Sequence, residues 1–140
     1  MRLSLFLAIV IGILGSGPAL ADDKITGDKY DIYTENGVNT AGIDVSEADY
    51  ERTVFVVANI AKTNTNPWFH AQLLRDGVEV RETRVATNHE WSMREFDIQY
   101  QGIIKKDESP TFIAGVKSDA KFNPQITGVV SLTVIVLKRP

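Results

Sequence analysis

The sequence predicts an all-β domain, a two-sheet antiparallel β-sandwich, on three observations. Beyond residue 28 apolar and polar residues alternate at period two, as strands with one face on a core require. Turn residues such as Asp76-Gly77, Ser109-Pro110 and Asn123-Pro124 separate these segments at short intervals, and each favours a chain reversal. No sustained helical period, internal repeat or low-complexity tract interrupts the pattern.

The chain begins MRLSLFLAIVIGILGSGPALADDK. Arg2 precedes an apolar run from Leu3 to Leu14, Gly15 to Pro18 break it, and Ala19-Leu20-Ala21 offers small-x-small residues to a signal peptidase. The run is short for a hydrocarbon core of about 30 Å, so a cleaved signal at residues 1–21 is expected over an uncleaved anchor. The protein is then secreted or periplasmic, and the leader and missing cysteines suggest a bacterial source. Removing Arg2 moves the net charge from −3 to −4. That balance argues against nucleic acid, which needs a cationic face. No basic tract or further apolar span suggests a membrane partner after cleavage. With no cysteine, thiol catalysis, thiolate zinc sites and disulfides are excluded.

The elements follow in order. Asp22 to Asp28 is polar and aperiodic and reads as a flexible lead-in, so the domain proper is expected over residues 29–140. Tyr30 to Tyr33 alternates as a first strand, closed by Glu35-Asn36-Gly37. Ile43 to Val45 is a short second strand, and Ser46-Glu47-Ala48-Asp49 has the form of a capping box that could support one helical turn. Thr53 to Ala61 is apolar on both parities and rich in β-branched residues. It reads as an interior strand, with a buried helix as the alternative.

Phe69 to Arg75 and Val78 to Val85 flank Asp76-Gly77, a pair suited to a type I′ hairpin. That turn sets Arg75 opposite Val78 and Leu73 opposite Val80. Phe69, Ala71, Leu73, Val78 and Val80 then share one face, and His70, Gln72, Leu74, Glu79 and Arg81 the other. Phe96, Ile98 and Tyr100 share a parity opposed to that of Trp91 and Met93, which predicts a bulge near Arg94-Glu95. Lys105 to Pro110 is a charged turn into Thr111 to Lys117, and Ser118 to Gln125 is a loop. The closing strand, Gly128 to Leu137, is uncharged and strongly β-prone. It must be paired on both sides or covered by a second subunit, with Lys138 and Arg139 as gatekeepers.

The succession of an interior strand (Thr53 to Ala61), the hairpin AQLLRDGVEV, the segment FDIQYQGIIKKDESPTFIAGVKS and the closing GVVSLTVIVL resembles the C1q/TNF-like jelly-roll superfamily. The likeness is one of strand spacing between Tyr50 and Leu137. Members often carry Gly-Asp in the turn where this chain has Asp107-Glu108-Ser109-Pro110, and no Gly-X-Y repeats appear here. The resemblance implies a jelly-roll-like sandwich and a homotrimer with the C-terminal strand near the three-fold axis. It also implies a role in assembly or binding without catalysis.

Candidate site residues are few. His70 and His89-Glu90 offer imidazole, but a zinc site needs three protein ligands, and ordinary surface histidines account for them better. Asp44, Glu47 and Asp49 form an acidic loop able to hold calcium through carboxylates and carbonyls, although no EF-hand pattern is present. Solvated loop charges explain them better. No Gly-x-Ser-x-Gly is present, and no motif joins a serine to a histidine. Trp68 and Trp91 could stack on a sugar or on a partner's surface; the competing role for Trp68 is to cover the sandwich end where Pro67 turns the chain.

Four functions follow. The first is a non-enzymatic jelly-roll module, requiring no cofactor, that forms a homo-oligomer or binds a surface partner. The alternative is a carbohydrate-binding module using Trp68 and Trp91, with or without calcium; His70 is a further candidate binding residue. A small exported hydrolase would need carboxylates converging in space, and a strand-exchanging fibre subunit would need a free alternating donor segment.

Overall fold

The computed structural model describes residues 23–62, 68–86, 95–116 and 127–139. They form nine strands: β1 (Asp23–Thr26), β2 (Tyr30–Val38), β3 (Thr40–Asp44), β4 (Arg52–Lys62), β5 (Trp68–Arg75), β6 (Val78–Ala86), β7 (Glu95–Ile104), β8 (Thr111–Val116) and β9 (Gly128–Leu137). One sheet has the order β1-β2-β9-β4-β7 and the other β3-β8-β5-β6, every pairing antiparallel.

This topology is a jelly roll, and it has a simple origin. β2 pairs with β9, β3 with β8, β4 with β7 and β5 with β6. The chain from β2 to β9 is thus one long antiparallel ribbon whose tip is the Asp76-Gly77 turn. The ribbon is rolled so that two further ladders form, β4 on β9 and β5 on β8. Asp76 at φ 50° and Gly77 at φ 82° supply the paired left-handed residues of a type I′ turn. The core lies between the sheets. Val54, Val56, Ala58 and Ile60 of β4 and Val130, Leu132, Val134 and Val136 of β9 point inward against Ile43, Leu73, Phe112 and Ala114.

The expected interior strand Thr53 to Ala61 is β4, enclosed between β9 and β7. The C-terminal strand is paired on both sides, by β2 and β4. Other expectations are corrected. Residues 23–26, read as a flexible lead-in, form the edge strand β1 on β2. Asn36-Gly37 does not turn the chain: both stay in β2, paired with Ser131 and Val130. The reversal falls instead at Asn39, at φ 67°. Asn39 can leave the ladder because its side-chain oxygen accepts from the Gly128 N–H (2.9 Å), while its backbone N–H donates to the Gly128 carbonyl (2.7 Å).

No helical turn forms at Ser46 to Asp49. The carbonyls a helix would use are taken by tertiary donors. Arg52, buried at 6% exposure, donates from Nη1 to the Ser46 carbonyl (2.7 Å), and Asp107 N–H donates to the Ala48 carbonyl (2.8 Å).

The hairpin register also differs. Arg75 does face Val78, but a bulge between Leu73 and Leu74 sets Leu73 opposite Arg81. Val80 and Arg81 therefore both lean toward the interior side, Val80 packing against the core. The predicted bulge near Arg94-Glu95 involves residues outside those described.

Candidate functional site

The outward face of the five-stranded sheet is the unusual surface of this molecule. Because Tyr33, Val56 and Leu132 are buried inward, the alternate positions of the same strands face solvent. These are Tyr30, Ile32, Thr34, Asn36 and Val38 on β2, then Val129, Ser131, Thr133, Ile135 and Leu137 on β9, and Thr53, Phe55, Val57, Asn59 and Ala61 on β4. None carries a charge. A solvated antiparallel face is ordinarily polar. Here the register lines up Ile25, Ile32, Ile135 and Phe55 in one row across four strands. Among the described residues, seven of the eight large exposed apolar side chains (Ile25, Tyr30, Val38, Val57, Ile103, Val129 and Leu137) lie on this face; the eighth, Val78, is at the hairpin tip.

Toward the β7 edge the face becomes polar and dips. A shallow recess of about 410 Å³ is lined by Phe55, Val57, Gln99 and Gln101, with Arg81 at its rim and Val56 and Tyr100 beneath. Phe55 pairs with Gln101 and Val57 with Gln99, so a half-buried ring stands beside two exposed amides. Asn59 Nδ2 donates to Asp97 Oδ1 (2.9 Å) along the same edge.

Arg81 fixes the rim. Its Nε donates to the Gln99 carbonyl (3.2 Å), its Nη1 to the Val80 carbonyl (3.1 Å), and its guanidinium lies 5.8 Å from the centroid of the Tyr100 ring. The β5–β6 bulge is what turns Arg81 in this direction. This recess escaped sequence reasoning. A signal was present in Thr53 to Ala61, which is apolar on both parities, but that pattern predicts an interior strand and does not say that Phe55 faces outward.

Trp68 and His70 open β5, their backbones paired with Ala86 and Arg84. The side chains of both, and the whole of Trp91, His89 and Glu90, lie outside the described residues. Asp44 ends β3, where its Oδ1 accepts from Thr111 Oγ1 (2.6 Å), while Glu47 and Asp49 are exposed in the β3–β4 loop. Among the described residues no three His, Asp or Glu side chains converge as a metal site. No carboxylate lines the recess, and among the described residues no helix is long and apolar enough to cross a membrane.

No family model matches the chain, and no curated protein sequence matches it. Solved structures do. Dimeric latent PorU from Porphyromonas gingivalis is similar at TM-score 0.51 and 8% identity over 86% of this chain, which spans only 13% of that one. A family 35 carbohydrate-binding module from Clostridium thermocellum gives TM-score 0.39 and 10% identity over 76% of this chain and 70% of the module. The CBM36-1 domain of a xylanase from the hindgut metagenome of Trinervitermes trinervoides gives 0.38 and 12% over 84% and 86%. The likeness to PorU is one of fold; the two weaker ones carry no inference of their own. The class is that of jelly-roll β-sandwiches.

Proposed function

We propose that the chain is a non-catalytic jelly-roll binding module whose ligand is a neutral glycan held in the recess between β4 and β7. The observation that carries the reading is Phe55 standing opposite the exposed amide of Gln101 and diagonal to that of Gln99, which faces Val57. A pyranose has an apolar face and an equatorial rim of hydroxyls. A ring flanked by planar amides matches both, since the amides donate and accept while the ring covers C–H groups. The recess volume falls in the usual range for small-ligand sites, roughly 300–1,000 Å³. Arg81 is already engaged by two carbonyls and Tyr100, which favours a neutral over an acidic sugar.

An exported setting, periplasmic or extracellular, belongs to this proposal, which places the glycan away from Trp68, His70 and Trp91. A C1q/TNF-like trimer is the narrower alternative within the same fold, supported by the uncharged outward side of β9.

The test is calorimetric titration of the protein with a panel of neutral oligosaccharides, with and without calcium. Phe55→Ala and Gln101→Ala should each weaken binding ten-fold or more, and Trp68→Ala and Trp91→Ala should leave it intact. Loss confined to the tryptophan variants would move the site to the start of β5 and the β6–β7 link. Absence of heat across the panel would overturn the reading.

A further inference from the structure

We infer that the recess is one end of a longer site whose ligand is an extended, uncharged glycan chain lying along β4 and β7, with a second subsite at the Asn59–Asp97 pair, resting on the recess being a glycan site as proposed above.

Four features select that ligand. The first is register. Phe55 faces Gln101 and Val57 faces Gln99 within the recess, and the next outward row along the same two strands is Asn59 facing Asp97. Phe55 and Asn59 are four residues apart on one strand, about 13 Å, a span that takes a chain of about three sugars rather than one.

The second is where hydrogen-bonding groups lie. Across the sheet the Asn59–Asp97 row continues through Ser131 to Asn36, so it carries only amide, hydroxyl and carboxylate side chains. Asn59 Nδ2 donates to Asp97 Oδ1 (2.9 Å), which fixes the direction of the amide. By inventory the pair then has a second N–H, the amide oxygen and the other carboxylate oxygen to offer, a set that matches neighbouring sugar hydroxyls. Groups that hold one another before a ligand arrives lose less freedom on binding. The opposite end of the recess lacks such a set. Its next row is Thr53 facing Ile103, an exposed aliphatic side chain whose carbonyl is already taken by Arg75.

The third is charge. Asp97 and, one row further, Glu95 place exposed carboxylates at the far end of the stripe. A uronic or sulfated sugar meets like charge there, whereas a neutral hydroxyl donates to the same oxygens. The fourth is shape. Two paired strands make a nearly straight stripe with a gentle twist. A β-1,4-linked chain stays extended along it, and an α-1,4-linked chain curls away from the far row.

The experiment is calorimetric titration of the full chain with β-1,4-linked gluco-, manno- and xylo-oligosaccharides of one to five sugars. The α-1,4-linked gluco-oligosaccharides serve as the curled comparison, and circular dichroism confirms folding. In at least one β-linked series, affinity is expected to rise about ten-fold or more from one sugar to three and then to level off. Asn59→Ala and Asp97→Ala should each weaken the trisaccharide about five-fold and leave the disaccharide unchanged, while Phe55→Ala weakens every length. Asp97 is exposed, so its variant carries the test should Asn59→Ala disturb β4. Thr53→Ala, at the opposite end, should change nothing. No heat from any chain would overturn the recess reading and this inference together. Binding that depends on Phe55 but does not strengthen with length, that ignores both Asn59→Ala and Asp97→Ala, or that α-linked chains match would overturn this inference alone.

Discussion

Nη2 of Arg75, on the four-stranded sheet, lies 2.7 Å from the carbonyl oxygen of Ile103, on the edge strand of the other sheet. The same guanidinium donates to the Tyr100 hydroxyl (3.2 Å) and pairs with Glu108 (3.0 Å), above the Phe112 ring. With Arg81 on the Gln99 carbonyl, it occupies two acceptors on the open side of β7. Unpaired edge carbonyls invite pairing with another chain. Two arginines from the facing sheet cover them here and close the mouth of the sandwich.

Arg75→Ala should therefore destabilise the fold by about 2–3 kcal/mol, the range for charge-assisted hydrogen bonds at a mostly buried site. Arg75→Lys should recover only part of that, since an ammonium lacks the planar fork that reaches several acceptors at once. Urea midpoints of the three proteins check this. An Arg75→Ala midpoint equal to wild type would mean that water replaces the clamp without cost.

Gly102 lies beneath the Tyr100 ring, and an added Cβ would collide with that ring and its hydroxyl. Gly102→Ala should cost about 1–3 kcal/mol through overpacking. Because displacing Tyr100 also removes one acceptor of Arg75, the double variant with Arg75→Ala should be less destabilised than the sum of the two singles. A double-mutant cycle in denaturant measures the coupling. Simple additivity would separate the two contacts.

Asn39 combines a left-handed backbone with a side-chain bond to Gly128 N–H. Asn39→Ala loses both advantages and should cost roughly 2 kcal/mol, whereas Asn39→Gly recovers the backbone part alone and should fall between alanine and wild type. Thermal unfolding of the three chains gives the ranking, and equal melting temperatures for alanine and glycine would deny the backbone strain.

Lys24, on β1, is raised above its ordinary pKa of 10.5, first by hydrogen bonding with Tyr33 and then by its charge interactions with Tyr33 and Asp31, with partial burial opposing. Its ammonium sits 4.9 Å from the Tyr33 ring centroid and 3.7 Å from Asp31 Oδ2. A lysine whose pKa rises on folding stabilises while charged. The contribution is complete below pH 10.5 and fades as pH climbs through the raised folded value. The protection factor of β1 amides, with hydroxide catalysis divided out, should fall above that pH in the wild type, and Lys24→Met should remove that fall. Identical profiles for the two proteins would sink the assignment.

Much of the architecture was legible because strands announce themselves locally. The turn residues Asp76-Gly77 placed the ribbon's tip, and the β-branched runs of β4 and β9 marked two interior strands. Asn36-Gly37 misled, because a local turn preference gave way to nine ladder partners between β2 and β9. The Ser46 capping pattern failed for a related reason: Arg52, at the start of β4, and Asp107, in the turn after β7, claimed its carbonyls. The recess stayed hidden because Phe55, Arg81, Gln99 and Gln101 come from three strands, and a bulge that no sequence feature marked turns Arg81 to the rim.

The sequence by itself determined the all-β class, the type I′ hairpin and the need to pair an uncharged closing strand, since all three depend on residues adjacent in the chain. Only the tertiary structure decided what the second apolar parity of Thr53 to Ala61 and Gly128 to Leu137 means. Period-two alternation says which residues share a face, but whether that face is covered depends on strand order and on the sheet opposite. In this jelly roll one parity fills the core, and the other forms an uncharged platform facing outward from the sandwich.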